Sequence, residues 1–347
     1  MTDDPPLHLA VALDGAGWHP AAWRDLGAPP DQLLTAAYWA GLAAEAERGL
    51  LDFVTIEDSP GLDAVLAAGW IAPATSHIGL VPAATVSHTE PFRVSKAIAG
   101  LDYASLGRAG WRPQLSRPWP DSLFGQRGPA EFQPADFAKP QVRPVIAEHF
   151  DEAADFVELV RALWDSSISR RPPQGQPLVT ALAHAPVPYR FAARAADVVF
   201  VAPRDAGHAR AIVAEVRAQQ AAAGRAGETL HVFADLLVFL AENEAAAAGH
   251  RARLDDAAGE QYAGDAASFA GTPAGLAELL RDWQQAGLTG FRLRPAVLPR
   301  DLLHVTRGLV PELQRTHSFR TCYTGTGLRK RLGLARPASR YAAAAAG

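Results

Sequence analysis

The sequence predicts an α/β fold, a (β/α)8 TIM barrel with a C-terminal extension, and three observations carry that prediction. About eight apolar strand-like runs alternate with eight or more helical periods, the pattern of helices packed outside a parallel sheet. No shift in composition across the 347 residues marks a second domain, and a single α/β barrel commonly needs about 250 residues or more. The third observation is the stretch 90–111. Pro91 suits a first helical turn, where its missing N–H costs nothing. Val94, Ala97, Ile98 and Leu101 follow at the i, i+3, i+4, i+7 spacing of an amphipathic helix. Gly107 is placed to stop that helix, and a strand begins at Arg108. With the apolar run 77–84 ahead of it, this makes a βαβ unit, which requires parallel strands and a right-handed crossover.

Taken in order, residues 7–13 (LHLAVAL) read as a buried strand, followed by a loop holding Gly15, Gly17, Trp18, His19, Pro20 and Trp23. A helix over 38–49 puts Trp39, Leu42, Ala43 and Ala46 on one face. The second strand, 51–56, ends in Glu57-Asp58-Ser59-Pro60, and a helix at 62–72 leads to the third strand, 77–84. Beyond the fourth strand, residues 112–144 carry seven prolines and neither period; a loop of that length in a compact domain is functional or disordered. A helix over 148–164 shows Phe150, Ala154, Val157, Val160, Leu163 and Trp164 as its apolar stripe. Strands at 178–182, 197–202 and 230–240 alternate with helices at 189–195 and 206–223. Two helices, 242–257 and 272–286, come next, the second capped by Gly287. A last strand at 290–293 and a helix at 301–315 complete the count. The expected organisation is a barrel domain over 1–315 with its Pro-rich loop at 112–147. Residues 316–347 are expected to be an extension packing on the barrel, with the last residues disordered. An open doubly wound sheet would want a Gly-rich phosphate turn after strand one; residues 13–17, Leu-Asp-Gly-Ala-Gly, lack the third glycine and the helix behind it.

Composition narrows the function. A formal net charge of −4 with both signs interspersed lacks a nucleic-acid footprint. Cys322 is the lone cysteine, so no intrachain disulfide is possible. The start MTDDPPLH does not resemble a signal peptide, and no apolar run approaches the roughly 20 residues of a membrane span. A cytoplasmic protein is expected.

In such a barrel the working residues lie at the C-terminal strand ends and in the loops after them. That rule selects Asp14, Trp18 and His19; Glu57, Asp58 and Ser59; Thr85, Ser87 and His88; Arg112, Gln114 and Ser116; His184; and Arg294. Plainer roles compete. Asp58 and Ser59 are equally good helix caps, as is Thr89; His88 reads as a loop residue, His149 as a solvent-facing helix residue and His19 as structural. No HExxH or clustered His/Cys spacing points to a metal, and no GxSxG elbow to a serine hydrolase.

Six segments, in order, resemble the bacterial luciferase-like flavin-dependent monooxygenases, in the branch of the nitrilotriacetate and dibenzothiophene-sulfone monooxygenases. They are YWAGLAAEAERGLLDFVTIEDS, EPF with LDYASLGRAGW, DEAADFVELVRALWDS, FAARAADVVF, GTPAGLAELLRDWQQAG, and VPELQR with FRTCYTGTGLRKRLGL. The resemblance implies the barrel, and a chemistry in which reduced FMN and dioxygen oxygenate a small organic substrate. It also implies a separate flavin reductase and a homodimer; the motifs, charge and hydropathy above lead us to expect no metal, nucleic acid or membrane. It carries the flavin-site Asp onto Asp58 and the polar cluster after strand three onto Thr85 and Ser87. Where the family writes GRAGWNVVTS, this chain has GRAGWRPQLS, so Ser116 is kept while Arg112 and Leu115 stand for Asn and Thr. The family's His and Tyr ahead of its LWDSW segment fall on Ile146 and Phe150, and its paired Ser on His184 and Ala185. The expected cofactor-binding set is therefore Asp58, Thr85, Ser87, Arg112, Ser116 and His184, with Arg112 able to pair a phosphate bidentately. No catalytic residue is singled out. Two further readings stand beside this one. One is a degenerate barrel with weak or no flavin binding that acts as a binding or accessory protein. The other is a deazaflavin (F420)-dependent oxidoreductase on the same fold.

Overall fold

The computed structural model describes residues 7–25, 30–58, 61–87, 89–115, 143–166 and 170–339. Eight parallel strands close into a barrel: β1 (His8–Leu13), β2 (Phe53–Ile56), β3 (Gly79–Thr85), β4 (Gly110–Gln114), β5 (Leu178–Leu182), β6 (Val198–Val201), β7 (His231–Leu240) and β9 (Gly290–Pro295). Closure runs through the pairs β1–β9, β9–β7 and β7–β6, all parallel. The helices between them, α1 (Ala36–Arg48), α2 (Ala64–Ile71), α3 (Pro91–Ala104), α4 (Arg143–Asp165), α5 (Pro186–Ala195), α6 (Ala206–Ala222), α7 (Glu244–Ala258) and α8 (Pro273–Gln285), form the outer layer.

Strand residues alternate between two cores, as the pleat requires. Leu9, Val11, Val54, Ile56, Leu80, Val179, Val199 and Leu293 face outward into the helical layer. Ala10, Phe53, Val81, Leu178, Val198, Phe200 and Phe233 fill the barrel interior. Glu90 and Pro91 open α3 as expected, but the helix ends at Ala104; Leu106 and Gly107 then take positive φ to turn the chain back. Asp63 caps α2, accepting from the Leu66 N–H at 2.8 Å, and Glu90, not Thr89, is the N-cap of α3. The helix expected over 301–315 is α9 (Arg300–His304), a π turn (Val305–Leu309) and α10 (Val310–Arg315) in succession.

One element departs from the sequence reading. Between the two helices α7 and α8 lies a ninth strand, β8 (Ala267–Gly271). It exists because β7 is ten residues long and β6 only four. The upper half of β7, Leu236–Leu240, outlasts β6, and β8 supplies the missing hydrogen-bond partners.

The chain after α10 closes the N-terminal end of the barrel. Leu328, on α11 (Leu328–Arg331), joins Leu332 and Leu334 beneath the interior apolar layer. Arg320 donates to Asp52 at 2.7 Å, Tyr323 to the Leu51 carbonyl at 2.7 Å and Arg329 to Asp197 at 3.1 Å. Burial pushes the His231 imidazole down to about 4, so it is neutral there and its Nε2–H donates to the Leu332 carbonyl at 2.8 Å. Because Leu328 is fully buried, Leu328→Ala should cost about 2–5 kcal/mol of unfolding free energy. Urea denaturation measures this, and a loss under about 1 kcal/mol would show that the base does not depend on the arm.

Candidate active site

Above the apolar layer the barrel interior turns polar, and by strand alternation the same inward-facing positions continue upward. On β9, Arg292 and Arg294 follow Gly290 at every second residue; on β4, Arg112 follows Gly110; on β7, Asp235 follows Phe233; past Phe53 on β2 come Thr55 and Glu57. Three guanidinium groups thus converge inside the C-terminal end of the barrel, all buried. Charges removed from water must be paired, and here each one is.

Arg292 forms a bidentate pair with Asp235, both contacts at 2.6 Å, and reaches Glu57 and Thr55 at 3.3 Å. Its guanidinium lies 4.4 Å from the centre of the Phe200 ring. Arg294 bridges Asp235 and Asp265, at 2.5 Å to the latter, and its guanidinium sits 4.3 Å from the Trp18 ring. Arg112 is ion-paired to Glu57. His184, just past β5, closes the ring with Nδ1 at 3.2 Å from Asp265 and Nε2 at 3.9 Å from Asp235. Burial alone would raise the Asp235 carboxyl, but Arg292 and Arg294 outweigh it and hold the group ionised. Burial likewise opposes ionisation of Asp265, and the hydrogen bond from His184 with the charge of Arg294 holds it well below the usual carboxylate range.

Trp18 reaches its place over Arg294 through the turn after β1. Gly17 sits at φ +134°, and a Cβ there would lie 2.3 Å from the Ala296 carbonyl oxygen after β9. Only glycine lets the two strand ends approach so closely. The Trp18 N–H then donates to the Ala296-side neighbour Pro295 at 2.9 Å, and its indole N–H to Ala12 at 3.3 Å.

The sequence candidates divide between two places. Arg112 and His184 belong to the ring, as do Glu57 and Arg294, while Thr85 ends β3 with its Oγ1 buried and unpartnered. Ser87 donates to the Leu115 carbonyl and so ties the loop after β3 to the end of β4. Asp58 follows Glu57 and accepts from the Ala64 N–H of α2 at 3.3 Å. It lines, with Thr85, Trp70, Glu90 and Arg93, a groove of about 960 Å³ between α2 and α3. That groove is wider than the cavity of about 130 Å³ between Arg112, Leu182 and Phe150 at the mouth, but its walls are mostly helix side chains and the reactive groups lie elsewhere. His19 pairs with Asp255 at 3.1 Å, away from the ring. Ser59, His88 and Ser116 lie outside the described residues. Sequence reasoning missed Asp235, Asp265 and Arg292.

The donor set suits a phosphate-bearing, planar, hydrogen-bonding cofactor. Arg112 Nε, Arg294 Nε, His184 Nε2 and Thr85 Oγ1 are buried without hydrogen-bond partners, and buried donors without partners are costly unless a ligand or water completes them. Among the described residues no His, Cys, Asp or Glu cluster could hold a metal ion.

Asp235→Asn should unfold the protein more easily by about 3–5 kcal/mol, because it strands two buried guanidinium groups. The exposed pair of Asp151 with Arg190 is the comparison, and Asp151→Asn should cost about 0–1 kcal/mol. Equal effects in chemical denaturation would contradict the pairing account.

Comparison with known proteins matches residues 18–255 to the luciferase-like monooxygenase family model. The chain is 26% identical to the nitrilotriacetate monooxygenase component A of Aminobacter aminovorans, covering 97% of this chain and 98% of that one. The alignment spans 459 positions against 347 residues here, so the relative carries substantial insertions. Among solved structures it superposes on the EDTA monooxygenase of Chelativorans sp. BNC1 with a TM-score of 0.81 at 21% identity, covering 96% of this chain and 99% of that one. A riboflavin lyase solved with modified FMN and riboflavin gives a TM-score of 0.82 at 19% identity, covering 97% and 98%.

Proposed function

The chain belongs to the luciferase-like monooxygenase family, and from that premise we propose that it is a reduced-FMN-dependent monooxygenase acting on a small organic substrate at the C-terminal mouth of its barrel. The observation that carries the reading is the set of partnerless buried donors at that mouth, on Thr85, Arg112, His184 and Arg294. Reduced FMN, when bound, supplies the two electrons with which dioxygen is cleaved, one oxygen atom entering the substrate and the other leaving as water.

The protein's part is to bind, orient and exclude water. In this reading Arg112 and His184 take the phosphate, each by exchanging part of its present carboxylate pairing for a phosphate oxygen. Thr85 offers a hydroxyl, while Ser87 holds the loop behind it. Asp58 and Ser116 complete the proposed contact set. Trp18, stacked on Arg294, forms an apolar wall that keeps the charged ring out of bulk water.

The wider assembly is proposed on the same footing. A separate reductase supplies the reduced flavin, an arrangement to which the name "component A" of the nitrilotriacetate relative points. A homodimer is proposed to form across α2 and α3, where Leu66 and Phe92 are 54% and 49% exposed. A cytoplasmic location fits a chain in which no described helix is long and apolar enough to cross a membrane.

The test is titration of the pure protein with FMN under reducing and oxidising conditions. Saturable binding of reduced FMN is expected. Arg112→Ala and His184→Ala should each weaken it by about tenfold, or 1.4 kcal/mol, and flatten its dependence on salt. If neither redox form binds, the accessory-barrel reading replaces this one.

A further inference from the structure

We propose that Asp14 is the proton-transfer group of the barrel mouth, a role that rests on the monooxygenase reading above. Asp14 is the first residue beyond β1, on the same rim as the charged ring. The other carboxylates of that rim are spoken for: Glu57 by Arg112 and Arg292, Asp235 by Arg292 and Arg294, Asp265 by Arg294 and His184. Asp14 alone among them has no ion pair or side-chain hydrogen bond within the described residues. It is half-buried, and it follows Ala10 at every second residue, so the alternation that turns Val11 and Leu13 outward puts Asp14 on the barrel's inner side.

Its backbone is held. The Gly17 N–H donates to the Asp14 carbonyl at 2.7 Å, and the Tyr38 hydroxyl donates to the Gly15 carbonyl at 2.9 Å. The charged and titratable groups facing it are Glu57 from β2, Arg112 from β4, Arg294 from β9 and Tyr262 from the segment after α7. Burial, then the negative charge of Glu57, outweigh the two guanidinium groups and push the Asp14 carboxyl up to about 6. A carboxyl with its midpoint at about 6 keeps a minor protonated fraction at neutral pH and can both give up and regain a proton there.

The balance is simple. Substrate, dioxygen, two electrons and two protons give oxygenated substrate and water. Asp14 Oδ–H gives one of the two protons to the oxygen that leaves as water, solvent gives the other, and the resulting carboxylate takes a proton back from solvent.

A raised carboxyl pKa also has a sign in stability. Between pH 4 and 6 the folded chain binds more protons at Asp14 than the unfolded chain, so stability falls as pH rises through that window. Asp14→Asn should therefore be more stable than the parent at pH 8, and the two should converge below pH 4.

The experiment compares the parent, Asp14→Asn and Asp14→Glu. Carbon-13 NMR of carboxyl-labelled protein should show one group titrating near pH 6 that Asp14→Asn removes. With reduced FMN and dioxygen as probes and no substrate, the dioxygen takes up two electrons and two protons and leaves as hydrogen peroxide, Asp14 giving one of those protons, so re-oxidation of bound flavin should slow above pH 6 in the parent. It should be at least tenfold slower and free of that pH step in Asp14→Asn, and Asp14→Glu should restore the step. FMN affinity should stay within twofold in all three. A protein that binds no reduced FMN removes the monooxygenase reading and this proposal with it. A protein that binds it, but whose NMR titration or pH step survives in Asp14→Asn, overturns the proposal alone.

Discussion

Three guanidinium groups inside a barrel are the constraint around which this molecule is arranged. Arg112, Arg292 and Arg294 point inward from β4 and β9, where water cannot serve them. A buried cation that keeps its charge needs a carboxylate within bonding distance and good geometry. Asp235 therefore sits opposite on β7, Glu57 at the end of β2 and Asp265 on the segment leading to β8. Even the glycine at 17 follows from it, since the tight turn there lays Trp18 across the Arg294 guanidinium. The barrel is divided into two regimes by this ring. Below it, phenylalanine and aliphatic side chains pack down to the C-terminal arm that seals the base. Above it the strand ends carry polar groups that the fold has left incompletely satisfied.

That division matches what a flavin oxygenase of this fold asks of its scaffold. The closed base and the paired charges hold the fold together, and the proposed flavin contacts draw on the rim, where Thr85 Oγ1, Arg112 Nε, His184 Nε2 and Arg294 Nε have no hydrogen-bond partner. Asp14, which has no ion pair among the described residues, occupies the same rim. A rigid lattice beneath a set of unsatisfied groups holds reacting partners in place without spending binding energy on reorganisation. The relatives reach the same fold with much longer chains, so the lattice here is part of a compact version of the family.

Much of the architecture was legible in the sequence, because alternation of apolar strands with amphipathic helices is a property of composition and spacing. The strand β8 was not: Ala-Ser-Phe-Ala-Gly sets one strand former, Phe269, among four weak ones, and it pairs where β7 overshoots β6. The site was half legible. Glu57, Arg112, His184 and Arg294 could be found from their positions at strand ends. Asp235 and Arg292 could not be found that way, since both lie mid-strand in runs that read as buried. The signal they do carry is a charge at an inward position of a strand, HVFADLLVFL and GFRLRP, which demands a partner of opposite sign. Asp58 accepts from the Ala64 N–H at the start of α2, while its neighbour Glu57 pairs with Arg112 and Arg292.

The central claim is that the ring of charges at the C-terminal mouth is where the flavin is held. A crystal structure of the protein soaked with FMN under reducing conditions tests it most directly. The account predicts flavin density at the mouth, with the phosphate against Arg112 and His184 and Trp18 close to the bound molecule. Flavin density in the groove between α2 and α3, or a mouth whose ion pairs are unchanged and whose density is empty at saturating FMN, would contradict it.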